Sequence, residues 1–169
     1  MNLEYKYLLD GSFDPDSRIW IYQSSRIFTI SEALEIEERL NSFAADWKSH
    51  GTPVKGAGYL FFGQFIILMA DETAHGVSGC STDGSVRFIK EIEQEFKVNL
   101  FDRTMLTFVI KDKIQHLPLA QLGYAFQNGF LDADSLYFNN TVQTKRELEE
   151  KWIIPVKDSW LAKRIPVVS

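Results

Sequence analysis

The chain's single cysteine lies in HGVSGCSTDGSVRF, residues 75–88, between a stretch of Gly and Ser and an apolar-periodic run. A cysteine just outside a helix N-terminus is a place where a thiolate gains. The unpaired N–H groups and the helix dipole there favour negative charge and pull a thiol below its ordinary value of about 8.5. The spacing predicts that Ser81, Thr82 or Asp83 caps a helix and leaves Cys80 just ahead of it. His75, on the same loop, would serve as general base, with Cys80 as nucleophile for acyl transfer or thiol redox work. The loop supports a second reading, in which Ser78, Gly79 and the amides of 79–82 hold a small anionic or polar ligand. Ser81, Thr82 and Asp83 then complete the site and Cys80 is a bystander. A third reading is architectural: small residues suit a tight strand-to-helix connection, a lone cysteine is commonly a buried hydrophobe, and Asp83 opposes a thiolate by like charge. Neither Q-A-C-x-G nor C-G-x-C-W is present.

Other chemistry-bearing residues form weaker patterns. His50, His75 and His116 are widely spaced, with no H-E-x-x-H and no i,i+4 pair, so no metal site is expected. Asp10, Asp14 and Asp16 in DGSFDPDS lack the spacing and bidentate Glu of a calcium loop and read as turn-forming acids. Glu32, Glu35, Glu37 and Glu38 fit a solvated helix face. Trp152 and Trp160 flank IIPVKDS, where core packing is expected ahead of a partner-facing patch. No cofactor is expected.

The elements that must position these residues follow from periodicity. RIWIY (18–22) reads as a strand. Thr29 with Glu32 forms a capping box, followed by Ala33, Ile36, Leu40, Phe43 and Trp47 at helical spacing, and Gly51 and Pro53 stop that helix. GYLFFGQFIILMADE predicts strands at 57–62 and 65–71 joined by a Gly63-Gln64 hairpin turn. SVRFIKEIEQEF carries Val86, Ile89, Ile92 or Glu93, and Phe96 on one stripe, a second amphipathic helix. TMLTFVI (104–110) is a strand, with KIQHLPL as its hairpin partner across Lys111-Asp112. Up to residue 110 the order is βαββαβ, which predicts an α+β fold: a split βαββαβ, ferredoxin-like antiparallel sheet with both helices on one face. The C-terminal third reads as LAQLGYAFQNG ending at Gly129, a helix in TKRELEEKW capped by Thr144, and a last turn in DSWLAKR. It is expected to decorate the same core. Residues 1–169 are thus one domain, with a core at about 18–110 and an extension at 111–169.

The bulk composition limits the function classes. The 169 residues are 45% hydrophobic and 24% charged, with a formal net charge of −5, so a broad basic surface for nucleic acid or anionic lipid is not expected. One cysteine makes no internal disulfide. The N-terminus lacks a basic segment followed by an apolar run, and FIILMA (65–70) is far too short to span a bilayer. A cytoplasmic location follows as the expectation.

DETAHGVSGCSTDGSVRF (71–88) resembles a stretch in a family of small uncharacterised bacterial proteins carrying an SGCS-x-D motif, here Ser78 to Asp83. The similarity takes in 43–103, including FDR at 101–103. Members of that family are often labelled ABC transporter ATPases. Such hydrolysis needs G-x-x-x-x-G-K-[ST] to wrap the phosphates and bind magnesium, and no such stretch exists here, so an ATPase is not expected. The resemblance brings no established activity with it. The leading expectation is a small-ligand or protein-binding module with its site at Gly76–Asp83. The alternatives are the cysteine-dependent enzyme using Cys80 and His75, and a homo-oligomeric scaffold such as a homodimer.

Overall fold

The computed structural model describes residues 1–73 and 79–166, with the backbone alone over 79–83. The order of elements is β1 (Arg18–Gln23), α1 (Ile30–Asp46), β2 (Lys48–Ser49), β3 (Thr52–Pro53), β4 (Lys55–Phe61), β5 (Phe65–Asp71) and α2 (Gly79–Phe96). There follow β6 (Met105–Ile110), β7 (Lys113–Pro118), α3 (Leu122–Gln127), β8 (Leu136–Phe138), α4 (Lys145–Lys151) and β9 (Ile153–Pro155). The architecture is α+β, with antiparallel sheets throughout.

The chain divides into two compact units. The first comprises Leu3–Asp102 with Gln143–Arg146, and the second comprises Met1–Asn2, Arg103–Val142 and Glu147 onward. In the first, a three-stranded sheet runs β1-β5-β4. Strand alternation sends Tyr22, Ile66, Leu68 and Ala70 to one face, where they pack with Ile36 and Leu40 of α1 and Ile89, Ile92 and Phe96 of α2. The central strand β5 is buried at every position. The N-terminal segment contributes Tyr5, Leu9 and Phe13, all buried, with Tyr5 packed on Phe61 and Lys55 lying over the Phe13 ring.

The helix α1 starts as its sequence dictates. The Thr29 side chain accepts from the Glu32 amide and the Glu32 carboxylate accepts from the Thr29 amide. Arg26 donates to both Glu32 oxygens at 2.8 and 2.9 Å, and holds that carboxyl down at about 2, with the Thr29 amide assisting. The helix ends at Asp46, ahead of the expected stop, because Trp47 turns extended and buries its ring beneath β4. Gly51 instead serves the β2–β3 turn. Close approach is needed here: a Cβ on Gly56 would stand 2.6 Å from Trp47 Cε3, and one on Gly58 3.0 Å from Leu40 Cβ.

The hairpin β4–β5 differs from its expected form by one residue. Its left-handed positions are Phe62 (φ 54°) and Gly63 (φ 68°), and the Gln64 amide closes the turn on the Phe61 carbonyl. An aromatic residue at positive φ is sterically disfavoured. Here the Phe62 ring is packed against Tyr5 and Phe65, and this packing opposes that cost.

The ferredoxin-like expectation is corrected by the sheet order. β6 does not join the first sheet; it lies in a four-stranded sheet ordered β7-β6-β8-β9. A strand-forming sequence specifies that a strand will form, but not which edge it will pair with. Here Lys111 (φ 51°) and Asp112 (φ 61°) make a tight turn, which commits β6 to β7. Where a decoration of a single core is expected, the C-terminal residues build a core of their own from Leu106, Phe108, Leu122, Ala125, Leu131, Tyr137, Val156 and Leu161. Trp152 is fully buried in this unit and donates its indole N–H to Asn140 at 2.9 Å. Trp160 is partly exposed and donates to the Tyr137 hydroxyl.

Candidate functional site

The strand β5 precedes the segment that leads to Cys80, and its last residue is a buried carboxylate. Asp71 is 7% exposed. One oxygen accepts from the Thr73 amide at 2.9 Å and from the Thr73 hydroxyl at 2.7 Å. The other accepts from the Asp14 amide at 3.1 Å, with Lys55 Nζ at 3.8 Å. Burial pushes the Asp71 carboxyl up, but the Thr73 and Asp14 hydrogen bonds and the Lys55 charge outweigh it and hold it below the usual carboxylate range. Asp71 thereby ties the C-terminal end of β5 to the N-terminal turn. That turn is organised by its own acids: Asp10 accepts from the Ser12 amide and Asp14 from the Asp16 amide, the turn-forming role expected of them.

Beside this strand end stands Arg18, the residue paired with Ala70 across β1 and β5. Its guanidinium lies 4.8 Å from the Trp20 ring centroid and 3.5 Å from Glu72 Oε1. That glutamate oxygen accepts no hydrogen bond, so the ion pair is a charge contact only. Trp20 leans on Trp47, Trp47 on Phe43, and Phe43 stacks on Phe88 of α2 at 4.4 Å. An aromatic row thus runs from under the Arg18 cation to the helix that carries Cys80.

The backbone of α2 begins at Gly79, which corrects the expected start. Cys80 falls within the first turn rather than ahead of it, and Ser81, Thr82 and Asp83 are helical residues rather than caps. By helix geometry the amides of Gly79, Cys80 and Ser81 have no carbonyl partner within this helix. His75 and Ser78 lie outside the described residues, as do the side chains of Cys80, Ser81, Thr82 and Asp83, so the Cys80–His75 pairing has no described geometry.

The described residue pair with nucleophile-and-base chemistry lies elsewhere. In the second unit Thr107 opposes His116 across β6 and β7, with Oγ1 2.8 Å from Nδ1. Thr107 is 1% exposed, so its hydroxyl is closed to any substrate and the pair is structural. The signal for it was present in the sequence: a two-residue turn at Lys111-Asp112, counted outward, sets Thr107 opposite His116. His50 sits in the β2–β3 turn. Among the described residues no group of His, Cys, Asp and Glu is arranged to hold a metal ion, and no helix is long and apolar enough to cross a membrane.

No family model, no curated protein and no solved structure matches the chain.

Proposed function

We propose that the unit built on Leu3–Asp102 is a binding module for a small anionic ligand, a phosphorylated or carboxylated metabolite, received at the N-terminus of α2. The observation that carries this is Arg18: a half-exposed guanidinium supported by the Trp20 face and held against Glu72 by charge without a hydrogen bond. A planar guanidinium that donates no hydrogen bond among the described residues is suited to bidentate recognition of phosphate or carboxylate. In this reading the first-turn amides of α2 and its helix dipole would supply the complementary half of the site. Gly79, Ser81, Thr82 and Asp83 would contribute through that turn, with Ser78 preceding it. The proposed setting is the bacterial cytoplasm, in line with the likeness of 71–88 to the SGCS-x-D family.

Thermal-shift measurements with inorganic phosphate and with phosphorylated and carboxylated metabolites at millimolar concentration test the reading. Stabilisation that Arg18→Ala abolishes supports it. No shift with any anion, or an unchanged shift in Arg18→Ala, overturns it. Iodoacetamide labelling against pH separates it from the competing reading, in which Cys80 is a nucleophile and His75 its base. A thiol alkylated rapidly at neutral pH, and slowed by His75→Ala, favours the enzyme.

A further inference from the structure

The helix α1 carries two apolar stripes, only one of which is used by the fold. Ile36 and Leu40 face the sheet and are fully buried. About a third of a turn round the helix, Ile30 and Leu34 are 82% and 63% exposed, and Ile27, just before the N-cap, is 61% exposed. Residues four apart on a helix lie one above the other, so Ile30 and Leu34 form a ridge about 6 Å long at 1.5 Å per residue. Ile27 adjoins the β4–β5 turn, its Cγ2 lying 3.4 Å from the Cβ position of Gly63. Scattered exposed aliphatics need no explanation, whereas clustered ones mark interaction surfaces.

The charges along the same stripe indicate what would cover it. Glu37 and Glu38 continue the ridge one turn beyond Leu34 and are exposed. The neighbouring acids are engaged: Glu32 by Arg26, and Glu35 by Arg39, which also pairs with Glu95. Glu37 and Glu38, by contrast, carry no ion pair among the described residues. The surface is thus two or three aliphatic anchors followed by two uncommitted carboxylates. A second copy of the chain is a poor fit. Antiparallel packing of α1 on α1 about Leu34 sets Ile30 of each helix against Glu38 of the other, burying carboxylates against hydrocarbon. An anionic membrane is repelled by the same two residues.

We infer that Ile27, Ile30 and Leu34, with Glu37 and Glu38, form a docking surface for a basic amphipathic helix of another protein. Its apolar residues would seat on the Ile30–Leu34 ridge and its Lys or Arg one turn further along would meet the two glutamates. This surface is separate from the ligand site proposed above and stands without it.

The test uses a fluorescent synthetic amphipathic helix of leucine and lysine, and the same peptide with glutamate in place of lysine, titrated by anisotropy against the full chain. Binding of the lysine peptide alone is expected. It should weaken about tenfold or more in the double variant Ile30→Ser, Leu34→Ser, and again in Glu37→Lys, Glu38→Lys. The charge-matched pair Glu91→Lys, Glu150→Lys, on α2 and α4, should bind as wild type. All of these side chains are exposed, and unchanged melting temperatures would show that each variant is folded. Failure of the lysine peptide to bind at millimolar concentration overturns the inference, as does equal loss in the Glu91, Glu150 control. A wild-type dimer that Leu34→Ser converts to a monomer also overturns it, assigning the ridge to self-association.

Discussion

Thr107 and His116 share a hydrogen bond across the β6–β7 hairpin, with the threonine fully shielded and the imidazole half-buried. Burial disfavours the charged imidazole and lowers its pKa from the ordinary 6.5. The unfolded chain therefore takes up a proton at a higher pH than the folded chain does. Stability is full above the unfolded value near 6.5 and declines as pH falls through it toward the lower folded value. Urea midpoints measured from pH 7.5 to 5 should fall in wild type and fall less in His116→Gln. Thr107→Val, which keeps the shape but removes the hydroxyl, should cost about 1 kcal/mol at pH 7.5.

Asp71 titrates with the same sign, in a more acid range. Its carboxyl is held below the ordinary 3.8, so the stability it contributes is present above that value and is lost as pH falls through the folded one. Asp71→Asn leaves the Thr73 and Asp14 donors facing a neutral amide and Lys55 without its counter-charge. It should cost about 1–3 kcal/mol at neutral pH, a deficit that shrinks as acid is added below 3.8. Denaturation curves of the two proteins at neutral and acid pH check both halves of this statement. A constant difference across pH would remove the carboxylate's role in holding Thr73 and the Asp14 turn together.

Local rules carried the sequence reading furthest where neighbours in the chain decide the structure. The Thr29–Glu32 box and the β6–β7 turn are both of that kind, and the α1 stripe was legible down to Ile36 and Leu40. Non-local choices were not legible. TMLTFVI has the β-branched and aromatic residues of a strand, but its allegiance to β7 and β8 rather than to β1 depends on loop closure that no window of residues encodes. Phe62 takes the left-handed position because Tyr5 and Phe65, distant or merely adjacent in sequence, pack its ring. The start of α2 at Gly79 escaped because serine, threonine and aspartate each suit a cap as readily as a first turn. Arg18 escaped because only the β1–β5 register brings it beside Glu72.

Gly56 and Gly58 are where α1 and its C-terminal tryptophan come closest to the sheet. Adding a methyl at Gly56 would drive it into the Trp47 ring, which is held between Trp20 and Phe43 and so has little room to yield. Gly56→Ala should destabilise by about 1–3 kcal/mol and change the tryptophan fluorescence of the native state. Gly11→Ala, where an added Cβ meets nothing within 4 Å, is the control and should leave both unchanged. Equal effects at the two positions would mean that backbone entropy, not contact with Trp47, governs the outcome.

Gly84 presents the reverse case, inside α2 and one turn beyond the amides proposed to receive the ligand. A Cβ there also meets nothing within 4 Å, and its neighbour Ser85 is fully buried, so the helix is already fixed against the core at this point. Glycine in a helix interior costs about 1 kcal/mol relative to alanine, chiefly through the freedom it retains when unfolded. Gly84→Ala should therefore raise stability by about 0.5–1 kcal/mol, with slower amide exchange in the first turns of α2. Because the substitution adds no charge and touches no described side chain, anion-induced thermal shifts should persist on the higher baseline. If the anion shift vanished while stability rose, opening of that first turn would be a requirement of binding, and a preformed first turn would be the wrong picture of the site.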